Sequence, residues 1–94
     1  MLHVMAVIPV QTEHLPAACA ALKTLAAQSR TEAGCVSYEV FQRMGEAVLV
    51  TQECWGDSAS EAAHMSGPHV AAALGAIGSL LAGAPQIHHY SKLA

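Results

Sequence analysis

Six histidines stand in a chain of 94 residues that holds only four Lys or Arg and seven Asp or Glu. Imidazole is therefore the side chain here best suited to exchanging protons near neutral pH. His64 and His69 flank Gly67-Pro68, so they do not share a face of one regular helix, and His88 and His89 are neighbours in an apolar stretch. No HExxH or Cys/His pattern is present, and no metal site is expected. G-x-S-x-G, the dinucleotide fingerprint and a phosphate-cradling glycine loop are also absent. Cys19, Cys35 and Cys54 are odd in number, lack CxxC spacing and sit among apolar residues. They read as buried, reduced thiols of a cytosolic protein. Cys35 or Cys54 could act as a nucleophile only with a histidine base in reach. For His3, His14 and His89 an ordinary hydrogen-bonded or surface role is the default.

The constellation that could do chemistry is Tyr38, Thr51, Glu53 and Trp55, alternating along two neighbouring segments, with His64 following. An aromatic plate, a phenol, a carboxylate and an imidazole on one sheet face would suit an apolar pocket for a flat, weakly acidic organic molecule. The plainer alternative makes Trp55 a core plug and pairs Glu53 with a nearby cation.

Those residues need elements to position them. Leu2 to Val10 is an apolar run of strand length. Thr12 can cap a helix with Pro16 in its first turn and Leu15, Cys19, Leu22 and Ala26 along one face. Arg30 and Gly34 suit its end. Cys35 to Arg43 and Glu46 to Trp55 read as strands joined by a two-residue Met44-Gly45 turn. Counting from that turn, Val36, Tyr38 and Val40 share a face with Leu49, Thr51, Glu53 and Trp55. Cys35, Ser37, Glu39 and Phe41 then share the other with Val48, Val50, Gln52 and Cys54. Ser58 and Glu61 form a capping box for a short helix ending near His64. Pro68 opens another helix with the stripe Val70, Leu74, Ile77 and Leu81, in which Gly75 and Gly78 would permit close packing. Gly83 and Pro85 stop it, and Gln86 to Ser91 is a last strand.

The order β-α-β-β-α-α-β is that of an α+β, ferredoxin-like domain spanning residues 1–94, with a four-stranded antiparallel sheet covered by helices on one face. A composition 53% hydrophobic and 12% charged excludes disorder. It also leaves the bare sheet face wanting cover, most simply from a second copy. Scattered basic residues and a net charge of −3 make nucleic acid and membrane poor partners. The first residues show no basic segment before an apolar core, so no secretory leader is expected, and Val70 to Ala84 is too short for a bilayer span.

The stretch Ser29-Arg30-Thr31-Glu32-Ala33-Gly34-Cys35-Val36-Ser37-Tyr38-Glu39-Val40 resembles the "SR.E.GC..Y.v" segment of the antibiotic biosynthesis monooxygenase family. Glu53-Cys54-Trp55-Gly56-Asp57, then His64 and Pro68-His69, resembles its "E.W.d…H…pH" pattern. The resemblance implies a dimeric α/β barrel in which two ferredoxin-like sheets pack together. It further implies a cofactor-independent oxygenase with dioxygen as co-substrate, in which a base deprotonates a phenol or quinol. Carried onto this chain, His64 is the proton acceptor, and Tyr38 and Glu53 position the substrate oxygen or the imidazole. Trp55 stacks on the ring or lines the pocket and His69 is a secondary candidate; Thr51, from the shared sheet face, and His69 complete the expected substrate contacts. A non-catalytic ligand-binding or stress-response dimer, or an oxygen-independent isomerase, would use the same pocket. The haem-degrading branch of the superfamily places an asparagine in the first strand, and Leu2 to Val10 has none. No Lys or Arg occurs between Arg43 and Lys92, which favours a small quinol over a large polyketide.

Overall fold

The computed structural model describes residues 1–94. Strands β1 (Leu2–Pro9), β2 (Cys35–Gln42), β3 (Val48–Trp55) and β4 (Gln86–Tyr90) form one antiparallel sheet in the order β2-β3-β1-β4. Helices α1 (Leu15–Ser29), α2 (Ser58–Met65) and α3 (Pro68–Ile77) connect them, which is the ferredoxin-like arrangement the element order implied. No helix is long and apolar enough to cross a membrane.

Alternation in β1 buries Val4, Ala6 and Ile8 under the helices and leaves Met5 and Val7 half-buried on the other face. The core continues with Leu22 and Leu25 of α1, Leu49 of β3 and Val70, Ala73 and Ile77 of α3. On α1 the buried stripe is Ala18, Leu22, Leu25, Ala26 and Ser29, rotated from the expected face, with Leu15 and Cys19 at its edge. Alanine fits against a sheet as readily as it faces water, so an alanine-rich helix marks its inner face weakly. The same ambiguity moves α3: Ala73 takes the core place expected for Leu74, which is half exposed. Gly75 and Gly78 face open space and permit no close packing.

Three local devices also differ from expectation. Thr12 caps nothing; it opens a single 3₁₀ turn, Thr12–His14, ahead of α1. The N-cap of α2 is Asp57, whose carboxylate accepts from the Ser60 N–H at 2.8 Å. Ser58 is thus the first helical residue, and the Ser60 bonds hold the Asp57 carboxyl below its usual value. The hairpin loop is Met44–Ala47, because Arg43 N–H donates to Val48 O at 2.9 Å inside which Glu46 N–H closes a turn on Arg43 O.

That longer loop shifts the β2–β3 register by two residues, so Tyr38 pairs with Glu53 and Val40 with Thr51. A shift of two preserves the face of every side chain. At the far end a bulge inserts Val36 between Cys35, paired with Trp55, and Ser37, paired with Cys54. Parity reverses there, contrary to the count: Cys35 turns in against the core and Val36 out to solvent.

Gly34 sits at φ +80° in the turn between α1 and β2, and its carbonyl accepts from Gly56 N–H at 2.8 Å. A Cβ there would lie 2.5 Å from Ser60 Cβ and 2.1 Å from Ser60 Oγ. Gly45, at φ +77°, has open space around it. Gly34→Ala should therefore combine strain with overlap and destabilise by about 2–4 kcal/mol, against about 1 kcal/mol for Gly45→Ala. Urea unfolding of both variants tests the ranking; equal losses would show that Ser60 moves aside freely.

Candidate functional site

A pocket of about 270 Å³ lies between the helix-covered sheet face and α2–α3. Tyr38, Thr51, Glu53 and His64 supply its polar edge, and residues such as Ile8, Leu22, Val70 and Ile77 supply its apolar walls. The sheet face is the one anticipated, because strand alternation puts Tyr38 beside Glu53 and Thr51 beside Val40.

Residue by residue the polar groups interlock. Ala6 N–H donates to Thr51 Oγ1 at 3.1 Å, and the Thr51 hydroxyl donates to Glu53 Oε2 at 2.7 Å. Trp55 Nε1–H donates to Glu53 Oε1 at 3.1 Å. Both oxygens of Glu53 are thereby engaged, and no Lys or Arg pairs with it. His64, only 3% exposed although it lies on a surface helix, places its ring 4.6 Å from Trp55 and 5.5 Å from Tyr38. Its Nε2 is 4.0 Å from Glu53 Oε1, beyond hydrogen-bond reach. Its Nδ1 is 2.6 Å from Glu32 Oε1.

Glu32 was not among the residues singled out from the sequence. It occupies the turn after α1, where Glu32 N–H bonds to Ser29 O and Cys35 N–H to Glu32 O. From there its second oxygen meets His69 Nδ1 at 2.8 Å. One carboxylate thus receives two imidazoles from either side of the Gly67-Pro68 break. The only hint was its place inside the "SR.E.GC" segment, since neither periodicity nor spacing links positions 32 and 64.

Two of the sequence-selected residues do not line the pocket. Trp55 is 0% exposed, and its ring centroid lies 4.6 Å from that of His64 with the planes tilted by 37°. His69 faces a separate groove between α1 and α3 and touches the site only through Glu32. Thr51 reaches the wall, but its hydroxyl is committed to Glu53.

Burial opposes ionisation of Glu32, yet the hydrogen bonds and charge of His64 and His69 outweigh it and hold the carboxyl below its ordinary value. Burial, reinforced by the Glu53 and Glu32 carboxylates, pushes the Tyr38 phenol far above its usual range. The Tyr38 hydroxyl thus stays protonated. Burial and the same two carboxylates raise the Cys35 thiol, and Arg30 offsets them only in part, so Cys35 is a poor nucleophile. When the His64 ring is neutral, the Glu32 contact directs its single proton to Nδ1 and so leaves Nε2 as the acceptor.

The whole is a ferredoxin-like α+β domain whose ligand-sized pocket ends on an imidazole oriented by a carboxylate. The chain belongs to the antibiotic biosynthesis monooxygenase family, whose sequence profile matches residues 1–76. Similar solved structures run the length of the chain. One, from Nitrosomonas europaea and provisionally named an antibiotic biosynthesis monooxygenase, is 20% identical over 100% of both chains with a TM-score of 0.94; at that identity it speaks for the fold alone. A Caulobacter crescentus protein of the same provisional name is 25% identical, over 99% of this chain and 90% of that one, with a TM-score of 0.92. A Pseudomonas aeruginosa protein is 29% identical, over 99% and 94% respectively, with a TM-score of 0.90. No curated protein matches the chain.

The Glu32 bridge has a pH signature. Its folded value lies below the unfolded one, so its stabilisation is whole above the unfolded value near 4.5 and is lost as pH falls through the folded value. Glu32→Gln should cost about 1–3 kcal/mol at neutral pH, and urea unfolding should show that gap closing below pH 4.5. A gap independent of pH would mean the carboxylate charge contributes nothing.

Proposed function

We propose that this chain is a cofactor-independent monooxygenase that oxidises a small phenol or quinol with dioxygen. The observation that carries the reading is His64, buried at the pocket with Nδ1 2.6 Å from Glu32 Oε1, a contact that in the neutral ring leaves Nε2 to accept a proton. Family membership supports the reaction class, and the apolar walls support a flat, uncharged substrate.

In this reading Nε2 takes the phenolic proton, and the imidazolium formed is flanked by the Glu32 and Glu53 carboxylates. Tyr38 donates to the substrate oxygen as it gains charge. The electron-rich anion gives one electron to dioxygen, and the resulting superoxide joins the ring radical at a ring carbon to form a peroxide. His64 returns its proton to the distal peroxide oxygen. Loss of the C–H proton and cleavage of the O–O bond then give the quinone carbonyl and one water. One oxygen atom enters the product and the other leaves as water. The protein's part is to hold a base, to orient the ring and to exclude water.

Oxygen uptake over a hydroquinone and phenol panel tests this. His64→Ala should lower turnover by about a hundredfold to ten-thousandfold, and Tyr38→Phe should lower it less. Uptake no faster than autoxidation across the panel overturns the oxygenase. Thermal stabilisation by the same compounds would then indicate a binding protein, and anaerobic turnover an isomerase.

We further propose that a second copy covers the open sheet face. Met5, Val7, Val48, Val50 and Phe41 there are incompletely buried in the single chain. Sedimentation equilibrium at micromolar concentration should give twice the chain mass, and Val50→Glu should return it to one. A single-chain mass for the unaltered protein would overturn the pairing.

A further inference from the structure

Met65 at the end of α2, Leu74 on α3 and Ile87 on β4 all border the pocket, yet they are 39%, 50% and 41% exposed. Three large apolar side chains from three separate elements thus converge on one opening, joined by Pro85. Isolated exposed hydrophobics are ordinary, but a cluster continuous with a cavity marks a place where apolar ligand surface is received. No Lys or Arg lines the pocket, and the carboxylate in its wall, Glu53, would repel an anionic ring.

Size points the same way. About 270 Å³ falls just below the range of pockets that enclose a whole drug-sized ligand. It suffices for one or two fused rings, and any larger part of the molecule must leave through the mouth.

We infer that the Met65, Leu74 and Ile87 rim receives an alkyl or alkenyl tail carried by a neutral phenolic ring seated in the pocket. The inference names the substrate class of the site and rests on the reading of that pocket as a phenol site. The ring is held beside His64 and Tyr38, and the rim selects for the tail. Fully burying a methylene is worth about 0.8 kcal/mol, or about fourfold in affinity. A half-open rim covers each methylene only in part, so about twofold per methylene is expected, ending once the tail passes the rim.

Isothermal titration calorimetry with phenol and 4-alkylphenols from methyl to hexyl tests this without requiring turnover. Affinity should rise about twofold per methylene over the first three or four carbons and then level off. Leu74→Ser and Ile87→Ser, both at exposed positions, should flatten that rise, whereas Val36→Ser, on the exposed bulge, should leave it intact. If phenol binds but chain length has no effect in the unaltered protein, the rim assignment is overturned and the pocket reading survives. An equal rise in Leu74→Ser and Ile87→Ser would overturn it too. If no member of the series binds, the phenol-site reading fails and the rim with it. A rise with chain length but no oxygen uptake would uphold the rim and sink the oxygenase.

Discussion

An imidazole taken almost wholly out of water must find a partner for its N–H, or leave unmade a bond whose loss costs about 1–3 kcal/mol. For His64 that partner is Glu32, and the pocket's chemistry depends on the pairing. The two residues are 32 positions apart, and the fold joins them by apposing the turn after α1 to the α2–α3 break. Gly34 lets the turn come close to α2, and the bulge at Val36 turns the chain from that loop into β2 with Tyr38 facing inward. A carboxylate held by two imidazoles is also hard to displace: losing one leaves the other. His69 therefore steadies the orientation of His64 without touching the pocket.

How far the sequence could take this follows from pleat and periodicity. The hairpin loop is two residues longer than the Met44-Gly45 turn implied, yet Tyr38, Thr51 and Glu53 still share a face, because strand side chains alternate with period two and an even slip changes partners without changing faces. The odd insertion at Val36 has the opposite effect and exchanges Cys35 and Val36. Nothing in Gly34-Cys35-Val36-Ser37 marks which residue bulges. Trp55 was placed on the correct face, but a face says nothing of depth: the indole is fully buried and does not line the cavity. Leu74 shows the reverse error: a large apolar residue at helical spacing reads as core, whereas here it borders an opening.

Glu32 eluded the sequence for a different reason. Residues on strands and helices can be related by counting, but a turn residue has no periodicity, and its partner lies across the fold. The residues that orient a site are for that reason harder to read than those that line it. Tyr38, Glu53 and His64 announced themselves through type and alternation. The orientation of His64 depends on a carboxylate that spacing could not connect to it.

Three titratable groups meet at this pocket, and their surroundings separate their roles. Glu53 accepts hydrogen bonds on both oxygens, so taking a substrate proton would mean giving up the Thr51 or the Trp55 bond. Tyr38 is held neutral by burial and two nearby carboxylates, which suits it to donate and not to abstract. The neutral His64 ring, with its Nδ1 proton directed to Glu32, offers Nε2 as an acceptor. The two carboxylates are therefore not interchangeable. Glu32 orients the imidazole from outside the cavity, while Glu53 forms part of the wall and adds negative charge where an anionic ring would have to sit. In the proposed reaction a neutral molecule becomes charged only by handing its proton to His64, and the carboxylate that would have excluded the anion then lies beside a cation. In that step Glu53 still disfavours the phenolate, as it does that of Tyr38, and its compensating effect is on the imidazolium 4.0 Å away.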